Sequence, residues 1–574
     1  MVCCAIGRKC QPHAVGLRLK MEKKDEPLKK EDQGQAQNTF AKRWTNGPAW
    51  SFNVPPDTQA PYPSAPFTTQ LPPSYPGDGL TTYAPWNANV MMLYIPGTDT
   101  NNGLDHLLTT QVFSLLEENG VELADVMSFY RRTMHPWLPI IDFTRFESRL
   151  MKLHTVPSAE VAMLLLAVHL ACQKPAPDEM SARLQSSLYN TAKQFINFLN
   201  FGRTPTLELV QAGLMIALYE LGSSQTDAAY LTVGLCARLG FMLGLHQSAV
   251  PNYGLSLSLC LDAARKLRLL EERKRAWCGI YIFDRLTHQL QGDLTRPFAV
   301  DDPAPDSELP SDDETFNMPI DVALGDNTPG LNYSSPLALR TGYLARQAQA
   351  TYLFSRVLRH IKSQELSSTA VPLSPSTVVQ MEFREIDALL RELVACIFSQ
   401  AAGTWDAYCS AISILMLAML TLHRTRFSSL ATHSDPNSPA GAISTIPSKT
   451  SIPPNTPAPS NSDSTPPPSN PPPTDLTSML ALQHVVTMSA DILDDYNVSS
   501  RLIPPWKVPM TAGVAIEQIL RMSVQLMQVG WRPEENERSI RIMQESLMHC
   551  GKRWARDDQS FHEFVLARQT AVLG

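Results

Sequence analysis

From Leu104 onward the apolar residues recur at helical spacing. Leu104, Leu107, Leu108, Phe113, Leu115 and Leu116 share one face. Leu123, Val126, Met127 and Tyr130 repeat the pattern up to His135-Pro136. Pro136 and Pro139 break the chain within HPWLPIID. A new helix starts at Asp142 and Thr144, with Thr144 as its cap, and runs through Phe146 and Leu150. Helical patterns follow at 158–172, 178–200, 206–221, 227–246, 262–290, 336–363, 380–400 and 404–424, with no alternating strand pattern between them. The predicted fold class is therefore all-α, an irregular multi-helix array. Helical character returns at 476–496, 510–529 and 536–569. The apolar residues Ile540, Met543, Leu547 and Trp554 are too few for a core of their own, so these last helices are expected to fold back on the array.

Two stretches break the pattern. About half of the 46 prolines fall at 48–96 and 436–473. The first interleaves proline with Tyr, Phe and Trp; the second contains TPPPSNPPPTD and is biased to polyproline II. The resulting layout has a basic segment at 1–30, a disordered Pro/aromatic linker at 31–103 and an all-α domain at 104–425. A disordered Pro/Ser-rich insertion at 426–475 and C-terminal helices at 476–574 complete it.

Composition narrows the function. The chain has 574 residues, 44% hydrophobic and 18% charged, with a formal net charge of −7. That charge excludes binding to nucleic acid through bulk positive charge and leaves only a local basic patch. Ten cysteines, most of them alone in apolar runs, read as reduced buried thiols of an intracellular protein. No secretory signal is visible. The apolar runs 161–172 and 411–420 fall short of a membrane span and read as core helices, so no membrane partner is expected.

The central segments are the most specific. Helix 206–221 is followed by the turn GSSQTD, where Thr226 or Asp227 can cap the next helix. That helix, AAYLTVGLCARLGFMLGLH, is apolar nearly all round and is expected at the centre of the domain, with Gly234, Gly240 and Gly244 near one side. A buried Arg238 needs a carboxylate, and Glu220 is the candidate for that structural pair. The following helix is expected to open with Glu271 and Glu272 near its positive end. Its Arg273-Lys274-Arg275 triplet reads as a solvated face before it reads as a DNA patch. Asp312-Asp313-Glu314 and Asp494-Asp495 read as solvated loop or cap residues. His135, His169 and His246 read as hydrogen-bonded core or cap groups.

HPWLPIID, then LYELGSSQTDAAYLTVGLCARLGFMLGLH, then EERKRAWCGIYIFDRL resemble, in order and spacing, the fungal-specific transcription factor domain. This is the all-α middle region of zinc-cluster regulators. RPFAVDDPAPDSELPSDD is similar to the loop that follows the last of these helices in that family, although Gly292 is separated from Arg296-Pro297 by three residues. LIPPWKVPMTAGVAIEQIL and LMHCGKRWARDDQSF resemble its C-terminal part, so the likeness covers roughly 105–565. It implies a nuclear, non-enzymatic transcription regulator acting on promoter DNA directly or through a DNA-binding partner. It further implies a homodimer or heterodimer, a small-molecule effector, and control of one pathway such as a secondary-metabolite gene cluster.

The family reads DNA through six cysteines that hold two zinc ions. Before Cys172 this sequence has Cys3, Cys4 and Cys10, too few for two tetrahedral zincs. MVCCAIGRKC resembles the tail of one such half-module, with Cys3, Cys4 and Cys10 as metal ligands and Arg8 and Lys9 as DNA contacts. Zinc is expected only with a complete module. Two alternatives stand beside this reading. One is a co-regulator without a DNA reader, using the helical domain for dimerisation or effector sensing. The other is a metal-dependent all-α enzyme, because Asp301, Asp302 and Asp306 resemble the aspartate-rich magnesium site of terpene synthases. Pro303 and Pro305, however, put those acids in a loop.

Overall fold

Capping and burial decide where the helices lie. A computed structural model describes residues 100–176, 178–247, 260–293, 295–317, 330–368, 377–401, 405–433, 473–498 and 504–554. The cysteines Cys3, Cys4 and Cys10, the basic Arg8 and Lys9, the Pro/aromatic stretch 46–97 and most of the 426–475 insertion lie outside the described residues. The described residues form fifteen α-helices and no strand, only one isolated bridge between Glu308 and Asn332.

The first helices are α1 (Thr100–Glu118), α2 (Leu123–Thr133), α3 (Phe143–Lys152) and α4 (Ala159–Cys172). Asp142, not Thr144, caps α3: its carboxylate accepts from the amide of Arg145 at 3.1 Å. Next come α5 (Glu179–Gly202), α6 (Leu207–Gly222), α7 (Thr226–Met242) and α8 (Cys260–Gln291). The side chain of Thr206 accepts from the Leu209 amide to cap α6. At α7 the cap position is Gln225, without a side-chain bond, so neither Thr226 nor Asp227 has that role. A short α9 (Asp313–Asn317) precedes α10 (Tyr343–Ser368), α11 (Thr377–Gln400) and α12 (Trp405–His433). The set closes with α13 (Pro473–Val498), α14 (Met510–Gln528) and α15 (Pro533–Gly551).

The core is built on helices that are apolar on every side. Nearly every residue of α4 and α6 is buried, and the two pack on each other. Packing then passes from α6 to α7, from α7 to α8, from α8 to α10, and from α10 to α12. Two helical stretches, Asp406–Phe427 and Leu476–Asp494, are long and apolar enough by composition to cross a bilayer. They belong to α12 and α13, which pack together in the array, and 72% of the first stretch is buried. Helix α12 runs past 426 because Phe427 is still buried against its neighbours.

Helix α7 departs from the sequence reading. Ala229, Val233, Cys236 and Ala237 are buried, but Leu231 and Met242 are each 71% exposed. It lies at an edge and not at the centre, and its exposed side carries Arg238. Helix α8 begins at Cys260, so Glu271 and Glu272 sit well inside it, away from its positive end.

The end of the described chain returns to the first half. The Trp554 indole N–H donates to the Val508 carbonyl at 2.8 Å. Its ring lies over Gly222, where any Cβ would come within 2.4 Å of it, so only glycine fits. Arg553 donates to the carbonyls of Ala171 and Gln173, capping the end of α4. Burial pushes its guanidinium pKa down to about 10.

Candidate functional site

Helix α8 carries three ionic clusters along its length, and a cavity opens between the helix and the loop that follows it. The cluster nearest the N-terminus centres on Glu272, which is fully buried. Its carboxylate accepts from Arg145 Nε at 2.7 Å, from the Asp142 amide at 2.9 Å and from Gln211 Nε2 at 2.8 Å. Arg145 also reaches Glu208 at 2.6 Å, and Arg149 pairs with the same carboxylate. Burial opposes the charge on Arg145, but Glu272 and Glu208 hold its pKa above the ordinary value. This cluster ties α3, α6 and α8 together.

One turn on, the side chain of Arg275 is wholly buried. It donates to Asp313 Oδ1 at 2.6 Å, to Glu271 Oε1 at 2.8 Å and to the Ser311 carbonyl at 2.7 Å. Its guanidinium lies 4.0 Å from the centre of the Phe316 ring. Asp313 also accepts from the Leu344 amide at 3.1 Å, which anchors the start of α10. Burial raises the Asp313 pKa against the pull of Arg275. The third cluster joins Asp284, Arg285 and Asp302. Arg285 donates to Asp302 at 2.8 Å and pairs with its neighbour Asp284, and Asp302 also takes Ser355 at 2.6 Å and Arg359. Asp284 receives the amides of Ala299 and Val300, which fixes the loop after α8.

The cavity has a volume of about 660 Å³, within the range of ligand pockets. Its floor is α8, from Ala264 to Tyr281; the end of α7 and the loop 301–311 form its walls, and Phe316 and Tyr333 close it. Phe241, His246 and Trp277 make an aromatic corner, with ring centroids 5.0 to 5.9 Å apart. Gly240 lets Trp277 pack there: a Cβ at 240 would lie 3.0 Å from the ring. Burial raises the Tyr333 phenol well above its usual pKa.

The structure brings several sequence motifs together here and gives them other roles. In the basic triplet, Arg275 is buried and paired, Lys274 binds Glu308 at 2.7 Å, and Arg273 donates to the Leu243 carbonyl. Of the triplet, therefore, each member has a partner within the fold. Asp302 is engaged by two arginines, and Asp301 and Asp306 stand exposed beside it. Among the described residues no group of three or more His, Cys, Asp or Glu is arranged to hold a metal ion. Asp313 of the Asp312-Asp313-Glu314 run is not a solvated residue but the buried partner of Arg275. Asp494 pairs with exposed Arg538 at 2.6 Å.

The predicted pair of Glu220 and Arg238 does not form. Glu220 is buried and accepts from Lys193 at 2.9 Å and from the Tyr189 hydroxyl at 2.8 Å, both on α5. Arg238 points to solvent because α7 lies at the edge. His135 is buried against Asn317 at 2.7 Å and His169 against Gln173 at 3.0 Å. His246 is exposed at the cavity rim. Trp277 and Tyr333 went unnoticed in the sequence. Trp277 is visible in EERKRAWCGIYIFDRL, but an aromatic residue on an apolar helix signals core as readily as cavity.

A model of the fungal specific transcription factor domain matches residues 127–358, which include all the residues that line the cavity. Transcription factor BOA15 of Botryotinia fuckeliana is 32% identical over 169 residues, 29% of this chain and 87% of that protein. Transcription factor AN6788 of Emericella nidulans is 27% identical over 300 residues, 52% of this chain and 42% of its own length. Transcription factor tazR of Aspergillus terreus is 27% identical over 201 residues, 33% of this chain and 29% of its own. The match thus spans less than half the length of the latter two. No solved structure matches the chain. With the helical domain placed by its own family model and most of one relative covered at this identity, the chain belongs to the family of proteins that carry the fungal specific transcription factor domain.

Proposed function

We propose that the protein is a nuclear transcription regulator that controls the genes of one pathway, a secondary-metabolite cluster by its resemblance, and catalyses no reaction of its own. The observation that carries this is the 32% identity to BOA15 across 87% of that transcription factor. In this reading the helical domain is the regulatory part. It dimerises and takes a small-molecule effector, and the segment 1–30 supplies basic residues toward promoter DNA.

Two routes to the promoter follow. Direct reading needs a complete zinc module, for which Cys3, Cys4 and Cys10 are three thiolates where two tetrahedral zincs sharing ligands need six. Reading through a DNA-binding partner needs no zinc on this chain. The residues that would hold the metal do not suffice, so no step of this proposal runs through zinc.

Deleting the gene and sequencing the transcripts tests the reading. A confined set of genes should change, and a fluorescent fusion should concentrate in the nucleus. An unchanged transcriptome under conditions where the protein is made would overturn it. Gel shifts with promoters of the responding genes separate the two routes: a shift by the purified chain alone supports direct reading, and a shift that requires a nuclear extract supports a partner.

A further inference from the structure

The charged groups on the walls of the α8 cavity limit what charge a molecule inside it can carry. Each cation on the lining already has a counter-charge or an acceptor. Lys274 is held between Glu308 at 2.7 Å and Glu271 at 3.4 Å, Arg268 pairs with Asp142 at 3.0 Å, and Arg273 donates to the Leu243 carbonyl. Inside the cavity a ligand anion would have to break the buried Arg268–Asp142 pair, which leaves the carboxylate uncompensated, and at the Lys274–Glu308 pair, 30% and 54% exposed, it meets only a solvated, screened charge. The buried carboxylates are equally engaged. Glu271 serves Arg275 and the Ser311 amide, and Asp302 serves Arg285, Ser355 and Tyr281. A ligand cation thus finds no desolvated partner among the lining residues, only Asp301 and Glu308 at the exposed rim.

What the walls leave open is apolar and aromatic. Phe241 and Leu267 are 43% and 53% exposed although both line the cavity, and Trp277 offers a face between them. Tyr333 also lines the cavity, its ring tilted against that of Tyr352 with centroids 5.4 Å apart, and among the described residues no group accepts from or donates to its hydroxyl. A phenol on the wall of an aromatic-lined cavity, with no hydrogen-bond partner among the described residues, is a donor open to a ligand acceptor.

We infer that this cavity is the effector site of the regulatory domain, and that it takes an uncharged, planar aromatic molecule bearing a carbonyl or ether acceptor for the Tyr333 hydroxyl. The inference rests on the proposed role of the helical domain as the regulatory part. The ring system lies against Trp277 and Phe241, and the acceptor points to Tyr333. The site spans the end of α7, the middle of α8 and the loop after it, so occupancy draws three separate elements together.

The test uses the full purified chain and two fluorescent naphthalenes of different charge. Prodan is an uncharged naphthyl ketone, and 2,6-toluidinonaphthalenesulfonate is an anion. Prodan should bind saturably at one site with blue-shifted emission, at least tenfold more tightly than the sulfonate. Tyr333→Phe should weaken Prodan at least threefold while thermal unfolding stays unchanged. Ala304→Trp, at the exposed rim, should block it sterically without touching the core. Trp506→Ala, at an exposed position elsewhere, should leave binding as it is. Sulfonate binding as tight as Prodan binding, or Prodan binding indifferent to both Tyr333→Phe and Ala304→Trp, would overturn the inference. Loss of Prodan binding would leave the transcript changes on gene deletion intact, so the two proposals fail separately.

Discussion

Two regions of the described chain, α8 and the helices after it, bury arginines in opposite ways. Around α8, Arg275 and Arg285 are desolvated beside carboxylates, Asp313 and Glu271 for one, Asp284 and Asp302 for the other. In the later helices, Arg346 is just as buried but gives its protons to the carbonyls of Leu337 and Leu339 and to the side chains of Gln349 and Gln400. Arg553 does the same with the carbonyls that end α4. A carboxylate partner adds specificity at a high penalty for error, since either ion left alone is strongly unfavourable. A carbonyl partner tolerates the loss of the arginine better, because only neutral acceptors are left unsatisfied. Burial lowers the pKa of both Arg346 and Arg553, whereas that of Arg275, although burial opposes it, is raised by Asp313 and Glu271.

Arg275→Leu puts this contrast to its hardest test. It strands the buried Asp313 without a counter-ion, leaves Glu271 only Lys274, and should cost about 3–5 kcal/mol. Arg553→Leu should cost only about 1–3 kcal/mol. Chemical denaturation of both variants decides the matter, and equal losses would erase the distinction. The next effect comes from acid. Burial pushes the imidazoles of His135 and His169 down to about 4 from an ordinary 6.5. They stay neutral in the fold and take up protons on unfolding. Stability present above pH 6.5 should therefore fall between pH 6.5 and 4, by about 3 kcal/mol per histidine. In a His135→Gln, His169→Gln double variant the unfolding free energy should be flatter across that window. The smallest effect belongs to the surface. Arg538, half exposed between Asp491 and Asp494, should change stability by less than about 1 kcal/mol when replaced by alanine. Arg238→Ala should be equally mild, and a large loss there would restore the pairing that the sequence suggested.

The helices themselves were legible, because a period of 3.6 residues survives in the sequence wherever one face is buried. The stretches 206–221 and 380–400 differ from α6 and α11 by three residues or fewer at either end. What periodicity hides is which of several apolar helices lies innermost. Helix α7 reads as greasy as α6, but Leu231 and Met242 face water, and only the positions of its neighbours decide that. The same gap accounts for Glu220. Its charge demanded a cation, and the sequence offered Arg238 on the next helix; the actual partner, Lys193, sits on the preceding one. Charge complementarity predicts that a partner exists and says nothing of which nearby element supplies it. The candidate site was the least legible part. Its members come from positions 241 to 333, and no motif unites Trp277 with Tyr333.

The clasp that Arg553 and Trp554 make has a consequence for the order in which the molecule is made. The carbonyls at 171 and 173 emerge from the ribosome some 380 residues before the guanidinium that satisfies them. Throughout that interval the last turn of α4 must be covered by water or by a chaperone, and Gly222 faces an empty slot where the indole will sit. Synthesis halted upstream of position 553 yields a chain whose earliest helices are all present and whose seam is still open.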